Sequence, residues 1–536
     1  MDFCVTNSEY VRVKQFNHKV SLGKDYYLYF NEKKYYRETD NHIMFFCGIL
    51  WYQNPEILYE ENYNTDILNG QFRAIIFDKK NSLLRVITDF IEDFPIYYYQ
   101  DNDNLIISSS LMSFSPNYFT LSKKWIYEAA HHRIHHAYYP NLLDLPVNNN
   151  TYYDENITPI HKVNRIGLGR IVYFLNNNIV DNIRYYKPET DFYNLFHVEK
   201  KYNYEQALEL SKICLENNYN KIINTFDEIS IFASNGIDSL LNVYYLKDHP
   251  NVNVISYGYD WSQGQNNTLQ KLHSEYLKIP TKFFTFDREQ YINIIYEAMK
   301  NSSVPIKQIY TSIGTYISKK NTFKDVVITG SFGDRIFGHE TGNSMSYGIH
   351  YENIDNFDDL KEYTSKHYSS FADDYSERYY DQINSLTFIE HIASFYHYHH
   401  FSLAKFDRIF FDKLIIDPYV DSKLRSLLPQ CNLEAQKYTI LDAQLQIDLI
   451  KDKELLSYLA PVKIGADEGL NFEFSFVNKD KAYELLRELS ELKIPTSFQQ
   501  AFIKMFNKDK LVPRDLQLFG LGFFIKNWIT NGLLHK

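Results

Sequence analysis

The spacing of apolar residues changes character near residue 205. Before it, apolar and polar positions alternate in short runs broken by Asn, Asp and Gly, as in "HIMFFCGILWY", "GQFRAIIFD", "LLRVITD", "PIYYYQ" and "LIISSS". A period of two with β-branched and aromatic enrichment predicts strands, here of a mainly antiparallel, β-rich domain. "RIVYFLNNNIVDNIRYY", Arg170 to Tyr186, predicts a hairpin that closes this domain. The polar stretch after it predicts a linker. The domains are therefore expected at residues 1–190 and 205–536, with the linker at 191–204.

Beyond the linker the period becomes mixed. "YEQALELSKICLENNYNKII" has helical spacing, "EISIFAS" reads as a strand, "GIDSLLNVYYLKD" as a helix and "VNVISYGY" as a strand. "NNTLQKLHSEYLK" then predicts a helix, "TKFFTF" a strand, residues 288–320 a long helical segment and "DVVITGS" another strand. Strands and helices in alternation imply a parallel sheet covered on both faces, in which ligands bind beyond the carboxyl ends of the strands. After about residue 340 the pattern is mostly helical, and these helices are expected to pack over one side of the sheet.

Composition narrows the function classes. Hydrophobic residues make up 44% and charged residues 23% of the 536, close to globular averages, so both domains can build cores. The net charge of −11, without a long Lys/Arg run, argues against nucleic acid or an anionic membrane surface as the main partner. No apolar run reaches the roughly 20 residues of a membrane span, and no basic-then-apolar leader opens the chain. Cys4, Cys47, Cys214 and Cys431 lack the spacing of a zinc site or a disulfide scaffold. A cytoplasmic protein is expected. His131, His132, His135 and His136, and the group His397, His399 and His400, read as solvated or partner-facing helix surface, because no Cys or acidic residue accompanies them at ligand spacing.

Two stretches carry chemistry. In "SNGIDS", Ser234 to Ser239, a polar turn separates a strand from a helix. Such a turn directs backbone N–H groups and the positive end of the helix dipole at one point, which suits a phosphate. Ser234 and Ser239 add hydroxyls, and Asp238 adds a hard oxygen for Mg2+. The alternative is a plain helix entry with Ser234 or Asn235 as N-cap. Asn235 occupies a place where glycine is common, and Asn is the side chain that best tolerates left-handed backbone. "VVITGSFGDRIFGHE", Val326 to Glu340, forms a second turn of the same kind, in which Thr329, Gly330 and Gly333 precede Asp334. If the two strands are neighbours, Asp238 and Asp334 share one edge of the sheet.

This pair of turns resembles the adenylating domain of the asparagine synthetase family, whose loops read SGGxDS and GEGxDExFGG. "NGQFRAIIFD" from Asn69 and "TDFIEDFPIYYY" from Thr88 are similar to the NGxFAF and RDxxGxxPLYY segments of that family's glutaminase-type domain, and "IIDPYVDSKLRSLL" from Ile415 to its PFLDxxL segment. The resemblance implies an N-terminal Ntn-hydrolase-like domain and a C-terminal ATP-pyrophosphatase-like domain. Ser234, Asn235, Gly236, Asp238, Ser239, Thr329, Gly330 and Gly333 would bind ATP and pyrophosphate, and Asp238 and Asp334 would hold Mg2+. Lys463 falls where the family has its catalytic lysine, although the RxKxG pattern around that lysine is not reproduced.

Departures from the family redirect the expected chemistry. The family's glutaminase uses an N-terminal cysteine, whereas this chain begins Met1, Asp2, Phe3, Cys4. Cys4 is expected inside a strand, with no glutaminase nucleophile present. Ser331, Phe332 and Arg335 replace residues of the ammonia-using second loop, and Asn69 and Gly70 read as turn formers. Branches that lack glutaminase chemistry, the β-lactam synthetases and lasso-peptide cyclases, join a carboxylate to an amine within the same substrate. The resemblance thus implies an ATP- and Mg2+-dependent, AMP-forming ligase that closes an intramolecular amide on a peptide or small-molecule carboxylate. For a peptide cyclase, a leader peptidase and a leader-recognition protein are the implied partners. The alternatives are a glutamine-hydrolysing asparagine synthase or glycan amidotransferase, and a non-catalytic scaffold.

Overall fold

The computed structural model describes residues 2–13, 15–60, 64–91, 94–122, 158–167, 169–186, 201–260, 263–300, 310–320, 322–331, 333, 337, 413–427, 430–432, 443–459, 479–491, 499–500, 503 and 513–533. The N-terminal region contains two six-stranded antiparallel sheets. One runs in spatial order β10 (Asn164–Arg165), β8 (Tyr97–Gln100), β9 (Leu105–Ser108), β1 (Phe3–Thr6), β3 (Tyr26–Phe30), β2 (His18–Leu22). The other runs β12 (Asn178–Arg184), β11 (Arg170–Leu175), β7 (Leu83–Thr88), β6 (Gly70–Asp78), β5 (His42–Leu50), β4 (Tyr36–Glu38). Alternate residues of both sheets, among them Phe3, Val5, Phe45, Ile75 and Val86, lie in one buried cluster. The hairpin expected at residues 170–186 is β11 and β12, joined through Asn176 and Asn177 with φ of 48° and 65°. Two positive-φ residues make the tight turn whose twist matches its strands, and Asn tolerates that geometry best among side-chain-bearing residues. Strands β1 to β4 lie in the first 40 residues, outside the runs read above as strands.

The second region is a parallel five-stranded sheet with helices on both faces. Its order is β15 (Thr281–Phe286), β14 (Val252–Tyr259), β13 (Ile229–Phe232), β16 (Val326–Ile328), β17 (Leu414–Ile416). The chain enters at the central strand β13, works outward to β15, then crosses back to β16 on the other side. The topological switch point therefore lies between β13 and β16, where such sheets place their ligands. Ile229 pairs with Val326 and Ile231 with Ile328.

On one face, α1 (Tyr204–Thr225), α2 (Ile237–Leu246) and α3 (Gln263–Lys271, continuing as a π-helical turn at Leu272–Tyr276) cover the sheet. They are joined by α7 (Gln444–Leu449) and α8 (Lys453–Leu456), while α6 (Ser422–Leu427) packs against α1. On the other face lie α4 (Arg288–Lys300), α5 (Tyr310–Lys319), α9 (Lys479–Glu491) and α10 (Pro513–Leu533). Helix α1 opens with a capping box between Asn203 and Gln206, which satisfies the first exposed amides and marks where the second region starts. The structure refines two expectations. Among the described residues, 288–320 hold α4 and α5, with Pro305 between them in the sequence. Beyond residue 340, expected to be mostly helical, the described residues form helices and one strand, Leu414–Ile416, beside β16.

Candidate functional site

The first turn links the buried strand β13 to α2. Gly236 is the N-cap residue of α2, at φ −75° and ψ 153°, and no side chain caps the helix. The plain-entry alternative, with Ser234 or Asn235 as cap, is therefore not what forms. The hydroxyls of Ser234 and Ser239 instead pair across the turn at 3.1 Å, and Ser234 Oγ accepts from the Gly236 amide at 3.2 Å. Asn235 is 3% exposed, and neither it nor Gly236 has a positive φ. The tolerance of Asn for left-handed backbone is not called upon. An asparagine fits here because the turn uses ordinary backbone angles that demand no glycine at this position.

The second turn follows β16. Thr329 donates its amide to the Ile416 carbonyl at 3.2 Å and its hydroxyl to Asp417 Oδ2 at 3.3 Å. Its glycines abut the first turn. A Cβ at Gly333 would stand 2.1 Å from Asp238 Oδ1 and 2.9 Å from Asp238 Cβ, and one at Gly330 would stand 2.8 Å from Asp238 Cβ. Glycine is required at both positions by close approach. Neither shows a positive φ. Ser234, Asn235, Gly236, Asp238, Ser239, Thr329, Gly330 and Gly333 thus come together at one edge of the sheet. Asp334 follows Gly333 directly in the chain but, with Phe332, Arg335, Lys463 and both histidine groups, lies outside the described residues. Among the described residues, no group of three or more His, Cys, Asp or Glu converges as a metal site.

Two residues that sequence reasoning missed hold Asp238. Gln446 of α7, fully buried, donates from Nε2 to Asp238 Oδ1, while its own Oε1 finds no hydrogen-bond partner among the described residues. Tyr419 donates its hydroxyl to the Asp238 carbonyl at 2.8 Å. Burial pushes the Tyr419 hydroxyl well above the usual phenol range, so it stays a donor. No local pattern marks either residue: they lie 208 and 181 positions from Asp238.

The N-terminal residues take structural positions. Cys4 lies in β1, paired with Tyr29 and Ser108 and fully buried. Burial pushes its thiol far up, against a smaller opposing hydrogen bond from Ser108, so no thiolate forms near neutral pH. Asp89 accepts the Phe72 and Ile91 amides at 3.1 and 2.9 Å. Asn69, expected only to form a turn, reaches across to the second region: its Nδ2 donates to Asp421 Oδ1 and its Oδ1 accepts the Ser422 amide, both at 2.8 Å. No protein-family model matches this chain, and no curated protein is similar to it at a significant level.

Proposed function

We propose that the protein is an ATP-dependent, AMP-forming ligase of asparagine synthetase-like design, built from a degenerate Ntn-hydrolase-like domain and an ATP-pyrophosphatase-like domain. The observation that carries this reading is the packing of Gly330 and Gly333 onto Asp238 at the switch point of the parallel sheet. Two small-residue turns in contact there make a cradle that a Cβ would fill. The α2 amides behind Gly236 have no side-chain cap, so they suit phosphate oxygens. Asp238 is half-buried at this edge and offers the hard oxygen that Mg2+ prefers, with Asp334 as its proposed partner. Bound Mg2+ would offset charge on the pyrophosphate.

In the proposed reaction a substrate carboxylate oxygen bonds to the α-phosphorus of ATP as the bond to pyrophosphate breaks. An amine of the same substrate then bonds to the acyl carbon, AMP departs with the bonding electron pair, and the amine nitrogen loses a proton. Lys463 is the candidate for stabilising charge in the first step. The buried, protonated Cys4 favours an amine already present in the substrate over one released from glutamine. With the motif resemblance, this makes closure of a peptide macrolactam, as in lasso-peptide cyclases, the preferred specific activity, with a leader peptidase and a leader-recognition protein as partners. A non-catalytic scaffold is the second reading, favoured by the engagement of Asp238 Oδ1 by Gln446. Exchange of labelled pyrophosphate into ATP, driven by a candidate precursor peptide and lost in Asp238→Ala and Asp334→Ala, is the expected result. Exchange that persists in both variants overturns the assignment.

A further inference from the structure

The five residues after β17, Asp417 to Asp421, touch three parts of the molecule at once. Asp417 Oδ2 accepts the Thr329 hydroxyl of the second turn at 3.3 Å, and Tyr419 holds the Asp238 carbonyl of the first turn at 2.8 Å. Asp421 Oδ2 accepts from Tyr52 at 2.8 Å and from Asn218 of α1 at 3.1 Å, while Oδ1 accepts from Asn69 at 2.8 Å. The segment also closes on itself, because the Tyr419 amide donates to Asp417 Oδ1 at 3.2 Å. Asp417, Tyr419, Val420 and Asp421 are all fully buried. A buried carboxylate is tolerated only when its oxygens are hydrogen-bonded, so each aspartate is bound to its present partners.

The N-terminal region supplies the other end of this strap. Gln71 of β6, fully buried, accepts the Asp417 amide on Oε1 at 2.8 Å, while its Nε2 finds no partner among the described residues. A buried amide that leaves a donor unpaired is unfavourable by itself, so the side chain is retained here for its acceptor. We propose that Gln71 and Asn69 are positioning residues: the N-terminal domain holds the Asp417–Asp421 strap, and through it sets the separation of the two turns. The effect on ATP binding rests on the adenylation reading, whereas the effect on the order of the turns does not.

Hydrogen exchange on the full chain tests this without any ligand. Gln71→Leu removes the acceptor and is expected to raise exchange in peptides covering residues 234–243 and 326–333 by roughly three- to tenfold, the range for one lost buried hydrogen bond. Gln71→Glu, which keeps an acceptor oxygen and, when protonated, the shape of the amide, should restore wild-type exchange. Val86→Ala serves as the control, since Val86 pairs with Ile75 and Val172 inside the N-terminal sheet and its loss weakens that sheet without removing a hydrogen bond to the strap. If Gln71→Leu does not fold, Asn69→Ala takes its place in the same comparison. Equal rises in Val86→Ala and the strap variant, or no rise in the strap variant, overturn the proposal. ATP titration separates the two readings: wild-type protein that binds no ATP yet shows the exchange pattern sinks the adenylation assignment and leaves the positioning role standing.

Discussion

Gly333→Ala probes whether the two turns form one site. The added methyl carbon would lie 2.1 Å from Asp238 Oδ1, 2.4 Å from Cγ and 2.9 Å from Cβ. Relief requires a shift of about 1 Å, given that non-bonded carbon contacts settle near 3.5 Å. Rotating the carboxylate away does not suffice, because Asp238 Cβ is itself too near, and it would break the bond from Gln446. The second turn must therefore retreat from α2. Overpacking of this kind destabilises by about 1–3 kcal/mol. A displacement of about 1 Å between groups that bind one reactant can lower turnover by roughly a hundredfold. Gly236→Ala is the internal comparison, since a Cβ there meets only Ser234 Oγ at 3.3 Å and the glycine has an ordinary φ. It should lose at most about 1 kcal/mol, the scale of a changed N-cap. Thermal unfolding and pyrophosphate exchange on both variants give the answer. If Gly333→Ala matches wild type in both, or loses less than Gly236→Ala, the contact between the turns is not what organises the site.

Two further outcomes follow from buried polar groups. Gln446→Leu removes the donor to Asp238 Oδ1, so the carboxylate loses its orientation; we expect Mg2+ to bind several-fold more weakly by calorimetry while the fold survives with about 1–3 kcal/mol less stability, and unchanged Mg2+ affinity would remove Gln446 from the site. His273, on the π-helical turn, bonds Ser256 Oγ at 2.8 Å, and burial lowers its imidazolium pKa to about 4. The neutral ring is then favoured in the folded state, so its contribution is complete above the ordinary value near 6.5 and is lost as pH falls from there through about 4. The loss should approach, at most, about 3 kcal/mol. Unfolding curves from pH 7 to pH 4 should fall more steeply for wild type than for His273→Gln, and parallel curves would refute this role.

Much of the architecture was legible because it is written locally. Alternation in "GQFRAIIFD" marks β6, helical spacing in "YEQALELSKICLENNYNKII" marks α1, and the junctions "SNGIDS" and "TGSFGD" mark two turns at strand ends. Each of these signals lies within about 20 residues of continuous chain, where side-chain period and backbone geometry are directly linked. The three-residue strand Leu414–Ile416 was missed as a strand, since so short an apolar run has no period to read and is defined only by its neighbour β16.

The environment of the site followed a different logic. The two turns were visible in the chain, but their contact depended on β13 and β16 becoming neighbours, and on glycines that let Asp238 approach. Gln446, Tyr419, Gln71 and Asn69 acquired roles only through partners 181 to 353 positions away. Periodicity reports which face of an element is apolar, and so determines that the element forms and buries that face. It carries no record of which distant amide will meet a buried carboxylate. That choice is made by the packing of the two regions and the strap between them, because a hydrogen bond exists only where folding brings donor and acceptor within about 3 Å.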